Sequence, residues 1–262
     1  MSERLAGKVC VVTGGAQGIG AAYAAALAAN GADVAVIDLK RIDEASEVRA
    51  EVERLGRRCL VLKADVTDAE QMREAMATVL ADLGRIDCLV NNAALMYDQL
   101  TATWDEFLAV NFMGIVHASN AVVPHLWAQG SGSIVNISST AAYPIPLPAD
   151  FRPGPDAPPP PVDPSGYGIT KWMVIYQTRH MAQLLGVRGI RVNAVAPGVT
   201  MSPATKAVVP EPIVETLVGA AALRTALQPT DLTGLIVFLA SDESSTMTGQ
   251  VLVNDAGTIF VG

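Results

Sequence analysis

The segment Thr13-Gly14-Gly15-Ala16-Gln17-Gly18-Ile19-Gly20 follows an apolar run, Val9–Val12, and leads into an alanine-rich stretch of helical length. Glycines placed there let the backbone turn tightly and approach a pyrophosphate, whose charge rests on the free N–H groups of a helix N-terminus. Glycine turns also serve packing alone; the placement between a first strand and a first helix is what points to a dinucleotide. Eighteen residues beyond Gly20, a second apolar run ends in Val36-Ile37-Asp38. A carboxylate at that point can accept both hydroxyls of an adenosine ribose and repels a 2′-phosphate, which favours NAD over NADP. Lys40 and Arg41 follow closely and keep NADP open. Far downstream stand Tyr167 and Lys171, four residues apart and so on one face of a helix. Taken alone, that pair is common on helices and reads more readily as a half-buried tyrosine beside a solvated lysine.

The elements that must position these groups alternate in a simple rhythm. Short runs rich in Val and Ile occur at Val9–Val12, Val34–Ile37, Leu60–Leu62, Cys88–Val90, Ile134–Ile137, Val192–Val195 and Val251–Val253, the pattern of strands buried on both faces. Between them lie stretches of helical length: Gly20–Ala29, Ala45–Leu55, Asp68–Leu83, Trp104–Trp127, Tyr167–Leu185 and Asp231–Ala240. In 68–83, Met72, Met76, Val79, Leu80 and Leu83 share one helical face, with Thr67-Asp68 as the cap and Gly84 as the stop. Strand and helix alternating over the whole length predict an α/β fold, a doubly wound parallel sheet of seven strands with helices on both faces, formed by residues 1–262 as one domain.

The glycine spacing TGxxxGxG resembles that of the short-chain dehydrogenase/reductase family. Asp65-Val66, Asn91-Asn92-Ala93-Ala94, Asn111, Ile137-Ser138-Ser139, Tyr167-Gly168-Ile169-Thr170-Lys171 and Pro197-Gly198-Val199-Thr200 match further motifs of that family, in its order, over nearly the whole chain. Ala94 stands where the family usually has glycine. The resemblance implies a nicotinamide cofactor bound by Gly14, Gln17, Gly18, Ile19, Gly20, Asp38, Asp65, Val66, Asn92, Ala93, Pro197, Gly198, Val199 and Thr200, with Tyr167 and Lys171. It implies a Rossmann-type fold and a catalytic set of Asn111, Ser139, Tyr167 and Lys171. In that set Tyr167 is the general acid/base, its pKa brought below its usual value of about 10 by the Lys171 cation. Lys171 also holds the nicotinamide ribose. Ser139, second of its pair as in the family pattern, bonds the substrate oxygen, and Asn111 holds a water linking Lys171 to solvent.

One departure from the family stands out. Ser139 and Tyr167 are 28 positions apart, where the family runs about a dozen, and the excess is a proline-rich insertion, 144–164, holding ten of the sixteen prolines. It is expected to border the substrate mouth or a neighbouring subunit. Segment 200–227 matches the family's substrate lid; it is apolar (Val208, Val209, Ile213, Leu217, Val218) and interrupted by Pro203, Pro210 and Pro212. An apolar lid suits a hydrophobic secondary alcohol or ketone. The runner-up substrate is a 3-oxoacyl thioester; a non-catalytic dinucleotide sensor is a third reading, set against the intact Asn111, Ser139, Tyr167 and Lys171. Helices 104–127 and 167–185 carry more apolar residues than one sheet face buries, which agrees with the family's homotetramers.

Composition narrows the rest. Lys plus Arg total 18 against 26 Asp plus Glu, a net charge of -8 that disfavours nucleic acid and anionic membranes as partners. Cys10, Cys59 and Cys88, an odd and scattered set, suit buried thiols in a reducing cytoplasm. His117, His125 and His180 lack metal-site spacing. No segment is read as a membrane span.

Overall fold

The computed structural model describes residues 3–39, 45–96, 102–143, 166–209 and 211–260 of the 262; Lys40, Arg41 and the insertion 144–164 lie outside them. The expected strands form with one or two residues added at their ends: β1 Val9–Thr13, β2 Asp33–Asp38, β3 Cys59–Lys63, β4 Cys88–Asn91, β5 Gly132–Ile137, β6 Ile190–Pro197 and β7 Val251–Asn254. They pair in parallel in the order β3-β2-β1-β4-β5-β6-β7. The order reverses between β1 and β4, the point at which open α/β sheets bind ligands, outside the carboxyl ends of the strands.

Alternation along each strand explains why both faces are apolar. Cys10 and Val12 of β1 point into one core cluster, with Tyr23, Leu27, Val34, Val36 and Ile236. Val9 and Val11 point into the other, with Ile37, Met72, Met76, Val79, Val122 and Leu126. The first layer is built by α1 Gly18–Ala29, α2 Ala45–Arg54 and, near the C-terminus, a helix at Thr233–Ala240. The second contains α3 Ala69–Leu83, which starts as expected: the Asp68 carboxylate accepts the Glu70 and Gln71 N–H groups, and Gly84 ends the helix at φ 86. Cys10 and Cys88, distant in sequence, are register partners on β1 and β4 with both thiols buried. The Cys88 thiol and burial together push the Cys10 pKa well above its usual value. Cys59 is only partly buried, because β3 is an edge strand.

The single helix expected over 104–127 is three pieces. α4 Trp104–Leu108 opens on a Thr103–Glu106 capping box, a π-helical turn covers Ala109–Met113, and α5 Gly114–Gln129 follows. The π-turn puts buried Asn111 at its centre, a site such turns often mark. This stretch, Trp104–Gln129, is also long and apolar enough to cross a membrane by length and composition, contrary to expectation. In the fold Ala118, Ala121, Val122 and Leu126 are buried with sheet residues Val11, Leu89 and Ile134, so its apolar side faces the core. The remaining helices are α6 Gly166–Leu185, the short α7 Pro203–Val208 and α8 Glu211–Ala220, and α9, the Thr233–Ala240 helix already placed in the first layer.

Candidate active site

At the end of β1 the glycine turn is built as a cradle in which Gly14, Gly15 and Gly20 have no room for a side chain. A Cβ on Gly14 would lie 2.8 Å from the Ala93 Cα, one on Gly15 would lie 3.0 Å from Val36, and one on Gly20 would lie 2.2 Å from the Gly14 carbonyl oxygen. At Gly18 a Cβ would make only ordinary contacts, with Ser202 and Pro203 at 3.7 and 4.0 Å; what calls for glycine there is φ +57. Gln17 heads α1 without a side-chain hydrogen bond to its first turn. Asn92 staples the cradle in place, its Nδ2 donating to the carbonyls of Thr13 and Gly14 at 3.1 and 2.9 Å. The Thr13 hydroxyl accepts from the N–H groups of Asn92 and Ala93. From β2, Asp38 reaches back to accept the Ala16 N–H at 3.2 Å, so the carboxylate stands beside the turn. The arrangement fits a dinucleotide: close backbone approach, a helix N-terminus, and an anionic group at the ribose position. Gly20→Ala forces a methyl into the Gly14 backbone. It should cost more than about 2 kcal/mol of stability and abolish dinucleotide binding, measured by thermal melts with and without NAD.

Asp65 and Val66 follow β3. The Asp65 carboxylate accepts from Thr67 N–H and its hydroxyl, at 2.9 and 2.8 Å, while the Val66 carbonyl meets His117 Nδ1 at 3.0 Å. Gly114 approaches Val66 so closely that a Cβ would be 2.8 Å from its Cγ2. Beyond β6, Pro197, Gly198, Val199 and Thr200 lead into segment 200–227. A bridge between Thr200 and Leu227 closes its base, and the Thr200 hydroxyl donates to the Gly198 carbonyl at 3.0 Å.

The second constellation sits on α6 against the end of β5. Lys171 Nζ donates to the Ile137 carbonyl at 2.9 Å and lies 5.6 Å from the centre of the Tyr167 ring. Ser138 donates to the Lys171 carbonyl at 2.8 Å, which anchors the helix. Ser139 is the serine that hydrogen-bonds Tyr167. The expected lowering of the Tyr167 pKa by Lys171 is not what the protein alone provides. Burial dominates and raises the phenol above its usual value, with the Ser139 hydrogen bond opposing it, while burial brings Lys171 down to about 8. Asn111 differs from expectation as well: its side-chain amide is engaged with chain atoms. Its Oδ1 accepts the Leu95 N–H at 2.7 Å, and its Nδ2 donates to the Leu95 carbonyl at 3.1 Å and to the Thr170 hydroxyl at 3.4 Å. The amide thereby ties the segment after β4 to the residue beside Lys171.

A polar ladder beneath these groups escaped sequence reasoning. Asn91 Nδ2 donates to Asn136 Oδ1 at 2.8 Å and to Ser119 at 3.2 Å, and Asn136 Nδ2 donates to Thr178 at 2.9 Å. It locks α6 to β4 and β5. The available signal was an asparagine inside each of two apolar strands, in register with each other.

A doubly wound parallel sheet with a glycine cradle at the carboxyl end of β1 and a Ser139–Tyr167–Lys171 set at the carboxyl end of β5 defines a nucleotide-binding oxidoreductase. Comparison with known proteins agrees. Residues 8–149 match the family model described as short chain dehydrogenase, and residues 161–258 the one described as enoyl-(acyl carrier protein) reductase. The 3-oxoacyl-(acyl-carrier-protein) reductase FabG of Thermotoga maritima is 38% identical over 98% of this chain and 100% of its own. The 3-alpha-(or 20-beta)-hydroxysteroid dehydrogenase of Mycobacterium bovis is 37% identical over 99% of this chain and 92% of its own. A 7 alpha-hydroxysteroid dehydrogenase solved with NADH and 7-oxo glycochenodeoxycholic acid superposes with a TM-score of 0.85 at 29% identity, over 98% of this chain and 96% of that one. The chain belongs to the short-chain dehydrogenase/reductase family.

Proposed function

We propose that the protein is an NAD-dependent oxidoreductase that moves a hydride between nicotinamide and a hydrophobic secondary alcohol or ketone, with Tyr167 as general acid/base. The observation that carries this reading is the Ser139–Tyr167–Lys171 arrangement at the carboxyl end of β5, with Lys171 buried and Ser139 and Tyr167 half-buried. Bound nicotinamide would supply the hydride acceptor or donor and, when oxidised, a positive charge that favours the phenolate. In oxidation Tyr167 Oη takes the hydroxyl proton of the alcohol; in reduction it returns a proton to the carbonyl oxygen. Ser139 holds that oxygen as charge develops. Lys171 and Asn111 fix the face of α6 that carries the tyrosine. Segment 200–227, with its short α7 and α8, covers the substrate as an apolar lid. The exposed Trp127, Trp172, Tyr176 and Leu184 on α5 and α6 support a homotetramer, and the acidic charge and free thiols support a cytoplasmic enzyme.

The Thermotoga relative favours a second reading, reduction of a 3-oxoacyl thioester, while the mycobacterial relative favours a hydrophobic cyclic alcohol. Absorbance of reduced nicotinamide, followed with NAD or NADP and a panel of cyclic, aryl and aliphatic alcohols and 3-oxoacyl thioesters, separates them. Turnover of alcohols with NAD supports the first reading; turnover of thioesters alone, with NADPH, supports the second. Asp38→Ala removes the acidic group that sits 3.2 Å from the Ala16 N–H. Loss of charge-assisted ribose contacts should cut kcat/KM with NAD by about 10–100-fold and raise the NADP:NAD ratio. An unchanged ratio would remove Asp38 from cofactor choice.

A further inference from the structure

The chain just after β7 ties together two parts of the site that are distant in sequence. Asp255 is buried, and its carboxylate accepts the Gly257 N–H at 2.9 Å and the Ile259 N–H at 2.7 Å. The turn so held carries Ala256 at φ +58, a left-handed conformation that alanine keeps only when its surroundings impose it. One side of the turn lies flush against the cofactor segment: a Cβ on Gly198 would be 2.7 Å from both Cα and Cβ of Asp255. The other side grips the far end of the lid. The Gly257 carbonyl accepts the Ala222 N–H at 3.1 Å and the Ala256 carbonyl the Leu223 N–H at 2.9 Å. Gly257 itself, at φ +82, has its Cβ position 2.8 Å from the Ala222 Cβ. Helix α8 has no fully buried residue, so the bonds to Ala222 and Leu223 just beyond its C-terminus weigh heavily in its position.

We propose that Asp255 is a positioning residue: by holding the Ala256–Gly257 turn it fixes α8 over the substrate mouth and so sets how tightly an apolar substrate is held. It does this through the backbone of 222–223, without itself meeting the substrate. The inference rests on the reading of 200–227 as a lid. Its specificity lies in the double acceptor, since only a carboxylate satisfies two N–H groups from one side chain without bringing a donor of its own.

Asp255→Asn in the 262-residue chain separates the two roles of the residue. It keeps the Cα and Cβ that face Gly198 and turns one acceptor oxygen into an NH2 aimed at a backbone N–H. KM for the alcohol should rise about tenfold, the loss of one charge-assisted hydrogen bond, with kcat and the NAD dissociation constant within about twofold of wild type. Trypsin should cut after the exposed Lys206 and Arg224, both in the lid, about tenfold faster, with other sites unchanged. Gly257→Ala, which presses on Ala222 from the opposite side, should give the same pattern and stands in if the asparagine variant does not fold. Unchanged KM and cleavage in the folded variants overturn the proposal. Uniform acceleration at every tryptic site, with a lowered Tm, also overturns it, because that is general loosening. The protease arm reads the strut even in a protein with no turnover, so failure of the proposed reaction and failure of the strut give different results.

Discussion

Tyr167→Phe should lower kcat/KM by about 10³-fold, the contribution general acid–base catalysis makes when its group is deleted, while NAD binds within about twofold of wild type. The ring stays in place on α6, so packing and the position of Lys171 are retained and only Oη is lost. Oη has no substitute close at hand: Ser138 is bound to the Lys171 carbonyl and Lys171 Nζ to the Ile137 carbonyl. Because burial raises the Tyr167 pKa in the protein alone, the deprotonated form needed for oxidation is scarce at neutral pH until opposing charge arrives. Oxidation by the wild type should therefore accelerate as pH rises, and the variant should lose that dependence along with its rate. A pH series of kcat/KM, with NAD affinity measured by fluorescence titration, checks both. A loss smaller than tenfold would take the proton-transfer role away from Tyr167.

What the sequence made legible follows from physics that acts locally. The strands can be read as short Val/Ile runs because a polar side chain in a covered sheet must find a buried partner, and all seven were visible as such runs. The α3 cap and stop were legible because Asp68 and Gly84 act within one turn of themselves. The break in 104–129 was not, since the π-turn at Asn111 answers to a partner, Leu95, sixteen residues away. Cys10 and Cys88 looked unrelated until β1 and β4 paired. The Asp255 turn was invisible for the same reason: its meaning lies in Gly198 and Ala222, reached only through the fold. Spacing reports that a cation is near Tyr167, whereas burial, which here outweighs the Ser139 hydrogen bond and raises the phenol, is a property of the finished fold.

That same burial gives the last prediction its sign. Lys171→Met should lower kcat/KM by about 10³-fold and yet make the protein more stable at pH 7. The folded lysine has its pKa brought from 10.5 to about 8 by burial alone. Between those values the unfolded chain binds a proton that the folded protein releases, so wild-type stability rises with pH across the window and is lowest, through this group, below about pH 8. A shift of that size corresponds to about 3 kcal/mol of destabilisation at neutral pH. Methionine removes it but leaves the Ile137 carbonyl without its donor, which costs about 1 kcal/mol. The net gain of about 1–2 kcal/mol should raise Tm by about 2–6 °C at pH 7. It should shrink towards pH 10.5, where the wild-type lysine is neutral in the native state. Melts of the two proteins at pH 7 and pH 10 measure this directly. A variant less stable than wild type at pH 7 would mean that the protein stabilises the ammonium by more than burial penalises it. A stabilised but inactive variant would mean that the charge is kept in the core against the interest of the fold, for the reaction at Tyr167.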